Sequence, residues 1–245
     1  MERHIPPPSH PRYQSLLVRE RLVAGLHVGI VSPHGLFAHG RGEALDYLLG
    51  ERTTPAAQRS IDAAAAALLL ARRPVLSING NVAALVPEEV IALGRVANAR
   101  LEVNLFYRTE ERVGRIIEHL RDHGAMEVLG ADPDSRIPGL DHDRGQCTSE
   151  GIGAADVVLV PLEDGDRTQA LVAMGKQVIT IDLNPLSRTA QAAHVTIVDN
   201  IVRALPALSV ATERLRLSGT ALDVRSHYDN AATIAEQLSS LRRGV

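Results

Sequence analysis

A chain of 245 residues with 45% hydrophobic but only 2% aromatic side chains fits one large α/β domain or two small ones, built around an aliphatic core. A formal charge of -3 and no basic run longer than pairs such as Arg72-Arg73 exclude general nucleic-acid binding, which needs a concentrated positive face. A single cysteine, a polar and proline-rich start over Met1 to Pro11, and a longest apolar run of only Ala63 to Ala71 speak against a disulfide framework, a secretory signal and a membrane span, and predict a soluble cytoplasmic protein.

The first helix is expected between Pro11 and Gly29, where Leu16, Val23 and Leu26 recur at helical spacing. A Gly-rich turn over Ser32 to Gly42 leads into a short helical stretch with Leu45, Leu48 and Leu49. Thr54 followed by Pro55 reads as a helix start, the proline standing where its missing N–H costs nothing, and that helix runs through the alanine and leucine tract to Arg72 or Arg73. From Pro74 onward, short β-like runs alternate with helices. The runs are Val75 to Ile78, Leu101 to Leu105, a weak one at Glu127 to Leu129, Val157 to Val160, Val178 to Ile181 and Val195 to Val198. The helices between them are Pro87 to Ala97, Thr109 to His123, Thr168 to Met174 and Ser187 to Ala193. Continuous apolar strands separated by helices predict an α/β fold with a mostly parallel sheet covered on both faces. Asp132 to Gly151 reads as a long surface loop. The tail reads as a helix from Ile201 to about Leu217, a turn at Gly219 and a last helix from Thr233. The reading is of a single domain with a helical part over 1–73, a sheet-containing core over 74–206 and a helical tail over 207–245.

In an open parallel sheet, ligands sit outside the carboxyl ends of the strands. Here the residues just after five of the runs are polar: Asn79-Gly80-Asn81, Phe106-Tyr107-Arg108-Thr109, Glu163-Asp164-Gly165-Asp166-Arg167, Asp182 to Thr189, and Asp199-Asn200. Taken singly, Asp182, Asp164, Asp166 and Asn200 read equally well as helix caps, and Asn79-Gly80-Asn81 as a turn. Five together on one edge point to a nucleotide, with Asp182 accepting from ribose and Arg188 donating to phosphate. Arg19 falls between Leu16 and Val23 on the apolar face of the first helix, so it needs an anion, either an internal carboxylate or a phosphate. Ala38 to Ala44 reads as flexible backbone around Arg41 entering a helix. It is not a dinucleotide fingerprint, because the third glycine would fall at Leu45. His39 has no second histidine or cysteine at ligand spacing. Lys176 is the only lysine, against 25 arginines. It reads as a helix C-terminal charge, so arginine must handle any phosphate.

The strings His39-Gly40-Arg41-Gly42-Glu43, Asn79 to Ala84, Asn104 to Arg112, Val160 to Asp166 and Ile181 to Thr189 resemble the archaeal phosphopantothenate synthetase family, also called 4-phosphopantoate:β-alanine ligase. The likeness runs from about Arg12 to Pro206. It implies a Rossmann-like fold, a homodimer, and an ATP-dependent ligase of coenzyme A biosynthesis that joins 4-phosphopantoate to β-alanine with release of AMP and diphosphate. It implies ATP contacts at Arg19, Arg41, Asp182, Leu183, Asn184, Arg188, Thr189, Asp199 and Asn200. AMP release implies an acyl-adenylate, with Mg²⁺ bridging phosphate oxygens. Arg108 and Asn81 are assigned to the phosphate and carboxylate of phosphopantoate. A salt bridge to Glu110 or Glu111 and a structural turn are the alternatives for these two. Asp164 and Asp166 are metal ligands or caps, and no general base is assigned. An ADP-forming, kinase-type enzyme and a nucleotide-sensing module are the competing functions.

Overall fold

The computed structural model describes residues 6–243. Part of the polar start, residues 1–5, lies outside the described residues. Three helices come first: α1 (Tyr13–His27), α2 (Pro33–Leu48) and α3 (Pro55–Leu70). Thr54 caps α3 by accepting from Ala57 N at 3.1 Å. The small side chains of Ala63 to Ala67 are buried, and α3 packs against the last sheet strand and the tail helices.

The five sheet strands are β1 (Pro74–Ile78), β2 (Arg100–Val103), β5 (Val157–Pro161), β6 (Gln177–Ile181) and β7 (Val195–Ile197), all parallel, in the order β2-β1-β5-β6-β7. A short antiparallel ribbon, β3 (Ser135–Arg136) and β4 (Gln146–Cys147), lies between β2 and β5 in the chain. The order reverses between β1 and β5, which is the switch point of a doubly wound sheet. Parallel pairing puts all five carboxyl ends on one edge. Lys176 immediately precedes β6 and therefore lies at the opposite edge; its buried Nζ donates to Gly153 O and Ala155 O at 2.9 and 2.8 Å.

Residues alternate between the faces with period two. Leu76, Ile78, Val157, Leu159, Ile179, Ile181, Val195 and Ile197 enter one large aliphatic cluster with α3, α4 (Gly80–Leu85), α5 (Pro87–Ala97), α6 (Glu110–Asp122) and α9 (Ile201–Ser218). Val75, Val158, Val160 and Val178 enter a smaller one with Leu171 of α7 (Gly165–Ala173) and with Ile137, Leu140, Cys147 and Ile152. Helices therefore cover one face, and α7 with the ribbon segment covers the other.

Four expectations need correction. Ser32 to Gly42 is not a turn, because α2 runs unbroken through Gly40 and Gly42 from its Ser32 cap. Asp132 to Gly151 is not a plain surface loop: it holds β3 and β4, and it buries Ile137, Leu140 and Cys147 against the sheet. Asn79-Gly80-Asn81 opens α4, with Asn79 Oδ1 accepting from Asn81 N and Val82 N at 3.1 Å each. Glu127 to Leu129 is a single bridge rather than a strand, where Leu129 N donates to Leu101 O at 2.8 Å. The tail also holds a short helix, α10 (Ala221–Ser226), before α11 (Asn230–Arg243).

Candidate active site

The carboxyl edge divides into three zones, over β7, over β6, and over β1 with β5. At β7 the network is closed. Asp199 Oδ1 accepts from Arg203 Nε at 2.9 Å and from Asn200 N at 2.7 Å, and its Oδ2 accepts from Thr53 Oγ1 at 2.5 Å. Asn200 caps α9 and donates through Nδ2 to buried Asp46 of α2 at 2.8 Å, while Arg203 Nη2 donates to Asp46 Oδ1 at 2.5 Å. These bonds tie α2 to the end of β7.

At β6 the edge is open and cationic. Asp182 Oδ1 accepts from Asn184 N at 2.9 Å, and its Oδ2 accepts from the Ser187 hydroxyl. Burial raises its pKa above the usual carboxylate value, and the bonds from Ser187 and Asn184, with a smaller effect of the Arg41 guanidinium, draw it part of the way back. Leu183 is buried and packs with Leu49 and Val198. The approach of α2 is close here: a Cβ on Gly42 would lie 3.3 Å from Leu183 Cδ1. Arg41 and Arg188 are exposed and make no hydrogen bond among the described residues. Ser187 caps α8 (Arg188–Ala192) by accepting from Ala190 N at 2.9 Å, and Thr189 Oγ1 donates to Glu163 O at 2.8 Å.

Arg19 is not buried. Its side chain is 46% exposed and pairs with Glu43 of α2, Nε lying 2.9 Å from Oε1, so the internal carboxylate is its anion. Beside that pair, burial depresses the His39 pKa below its ordinary value, and His39 Nε2 has no hydrogen-bond partner among the described residues.

Over β1 and β5, Asn79 Nδ2 spans the switch point by donating to Pro161 O at 3.0 Å and Leu162 O at 3.3 Å. Asn81 Nδ2 donates to Gly35 O at 2.9 Å and so holds the first turn of α2. Arg108 is not paired with Glu110 or Glu111: its Nη2 donates to Gly130 O at 2.6 Å and Ala131 O at 3.1 Å. A cleft of about 530 Å³ opens beside Arg108, but Glu110, Asp132, Asp134 and Asp143 line it, so its walls repel phosphate.

Sequence reasoning missed a buried charge cluster under this zone. Glu163 accepts from Arg144 Nε at 2.7 Å and also pairs with Arg167, whose side chain is fully buried. Both guanidiniums hold the Glu163 carboxyl below its ordinary pKa against the opposing effect of burial. The available signal was the i,i+4 spacing of Glu163 and Arg167 at a strand end. Asp166 accepts from His142 Nε2 at 3.1 Å rather than facing the edge, and Asp164 makes no capping bond. Among the described residues no three His, Cys, Asp or Glu side chains form a metal cluster.

A family model for phosphopantothenate/pantothenate synthetase matches residues 56–244. The chain belongs to this family. It is 56% identical over 239 residues to the 4-phosphopantoate--beta-alanine ligase of Thermococcus onnurineus, covering 96% of this chain and 92% of that one. It is 53% identical over 238 residues to the enzyme of that name from Methanosarcina mazei, covering 96% and 94%. The protein of that name from Methanospirillum hungatei is 57% identical over 199 residues, 81% of each chain. The synthetase match continues through the tail helices, beyond the limit at Pro206 that the motif strings alone set. Within this synthetase-family chain, four of the motif strings fall at the carboxyl ends of β1, β2, β5 and β6, and the fifth lies in α2 against the end of β6.

Proposed function

We propose that this chain is an ATP-dependent ligase that condenses 4-phosphopantoate with β-alanine and releases AMP and diphosphate. The observation that carries the reading is the placement of two arginines with no ion pair among the described residues, Arg41 acting on Asp182 at the end of β6 and Arg188 lying against Gly165 at the start of α7. Arginine offers several donors to phosphate oxygens, and the buried carboxylate accepts from ribose. The nucleotide contacts assigned are Arg19, Arg41, Asp182, Leu183, Asn184, Arg188, Thr189, Asp199 and Asn200. Asp199, Asn200, Thr189 and Asn184 act mainly by holding the backbone around the nucleotide, and Arg19 acts through Glu43 until phosphate displaces that pair.

A carboxylate is a poor electrophile, and activation by the α-phosphate makes it one. The edge serves this by bringing two anions together on arginines, which is positioning and electrostatic stabilisation rather than covalent catalysis. Mg²⁺ in nucleotide enzymes is held by phosphates and one or two carboxylates rather than by a protein cage. Asp164, which opens α7 and whose Oδ2 lies 3.4 Å from Arg144 Nε, is the carboxylate of this edge that would join them. Mg²⁺ held there would further neutralise the phosphate charge.

The chain acts as a homodimer in this reading, in the cytoplasm. The exposed side of α2 suits a second copy, since Phe37 and Tyr47 stand 76% and 74% exposed in a chain with six aromatic residues. No helix among the described residues is long and apolar enough to cross a membrane. Identifying the products from labelled ATP tests the reaction. AMP and diphosphate formed only with both 4-phosphopantoate and β-alanine support the ligase. ADP supports a kinase, and no turnover supports a sensing module.

A further inference from the structure

Arg112 differs from the other cations of the edge. It lies in the first turn of α6, partly buried, with its guanidinium fixed by main-chain carbonyls: Nε donates to Ile30 O and Nη1 to Tyr107 O, each at 2.9 Å. Its Nη2 makes no hydrogen bond, and no carboxylate lies within 4.0 Å of it, among the described residues. Burial holds its pKa below the ordinary arginine value, and a second cation, Arg144, acts in the same direction. Gly80 makes room for the group. A Cβ there would lie 2.3 Å from Ile30 O and 2.6 Å from Arg112 Nη2, so glycine leaves room for the guanidinium beside the end of β1. A partly buried cation with a like-charged neighbour and no counter-ion is costly until an anion arrives. Arg108 differs in its surroundings: its Nη2 donates to Gly130 O and Ala131 O, and the cleft it lines is walled by Glu110, Asp132, Asp134 and Asp143.

We propose that Arg112 anchors the phosphate of the phosphorylated acid at the switch point between β1 and β5, with Arg144 adding positive potential behind it. The assignment rests on the ligase reading and deepens it. β1 and β6 are two strand spacings, about 10 Å, apart. Phosphate and carboxylate occupy opposite ends of the acid. With its phosphate on Arg112, the acid lies across the end of β5 and its carboxylate reaches toward the nucleotide at β6.

The test uses the full chain with Arg112→Lys and Arg112→Gln, assayed with ATP, β-alanine and 4-phosphopantoate, with unphosphorylated pantoate as a competitor. Loss of a charge-assisted bond to phosphate should raise the KM for 4-phosphopantoate about 10- to 100-fold. The KM for ATP and the Ki for pantoate should stay within about twofold, because neither involves that contact. A structural Arg112 would weaken pantoate and 4-phosphopantoate alike, which overturns the proposal. A rise confined to the KM for ATP also overturns it, by assigning Arg112 to the nucleotide. A wild-type chain that forms no AMP with either acid overturns the ligase reading and the proposal with it, a result distinct from the other two.

Discussion

The two faces of the sheet have different tasks. On one face, β1, β5, β6 and β7 present mainly aliphatic side chains, Leu76, Ile78, Leu159, Ile179, Ile181, Val195 and Ile197 among them, to the helices that cover it. On the other, Ser77, Glu102 and Thr180 interrupt the apolar set, and Glu163, Arg144 and Arg167 are buried beneath the strand ends. Apolar burial stabilises in proportion to area, whereas a buried ion pair barely recovers its desolvation. The charges of the second face therefore add little net stability to its smaller aliphatic cluster and instead fix geometry. These charges secure the segment after β5 and the ribbon, directly under the carboxyl edge of the sheet.

Breaking the buried pair should have the largest effect. Glu163→Gln leaves Arg144 and Arg167 uncompensated and should cost about 3–5 kcal/mol in urea unfolding, with ligase activity lost as well. Leu68→Ala on the aliphatic face should cost about 2–5 kcal/mol through its cavity, yet kcat and KM of the folded fraction should match wild type. An equal loss of kcat in the two variants would erase the distinction between faces. Arg188→Ala should raise the KM for ATP about tenfold through a lost charged hydrogen bond without moving the melting temperature, and an unchanged KM would remove Arg188 from the site.

The smallest effect expected is on pH dependence. His39, His119 and His194 all have pKa values depressed by burial below the ordinary 6.5. The unfolded chain therefore binds protons near 6.5 that the folded chain refuses. Stability should be flat above that value and fall as pH drops through it. A melting temperature unchanged between neutral pH and pH of about 5.5 would show that these rings are free to protonate.

Much of this was legible because the sheet strands are unbroken aliphatic runs. Val157 to Val160 and Val178 to Ile181 are buried on both faces, and helices such as Pro87 to Ala97 carry their own start signal. The departures have physical causes. Gly40 and Gly42 each disfavour helix by about 1 kcal/mol, so their string reads as a turn. Tertiary bonds from Asn81 to Gly35 O and from Arg203 to Asp46 hold the helix regardless, and Gly42 permits the approach to Leu183. Arg19 reads as buried because spacing reports a face but not what covers it. Glu43, 24 residues away, decides its partner. The roles of Arg112 and Arg144 depend on contacts between distant segments, Ile30 with Arg112 and Arg144 with Glu163, which no local pattern encodes.

If one edge of the sheet holds nucleotide and acid side by side, the carboxylate meets the α-phosphate before the amine enters. Labelled diphosphate should then exchange into ATP in a reaction that requires 4-phosphopantoate and proceeds without β-alanine. Exchange that requires β-alanine, or none under conditions where the chain turns over, would contradict that arrangement.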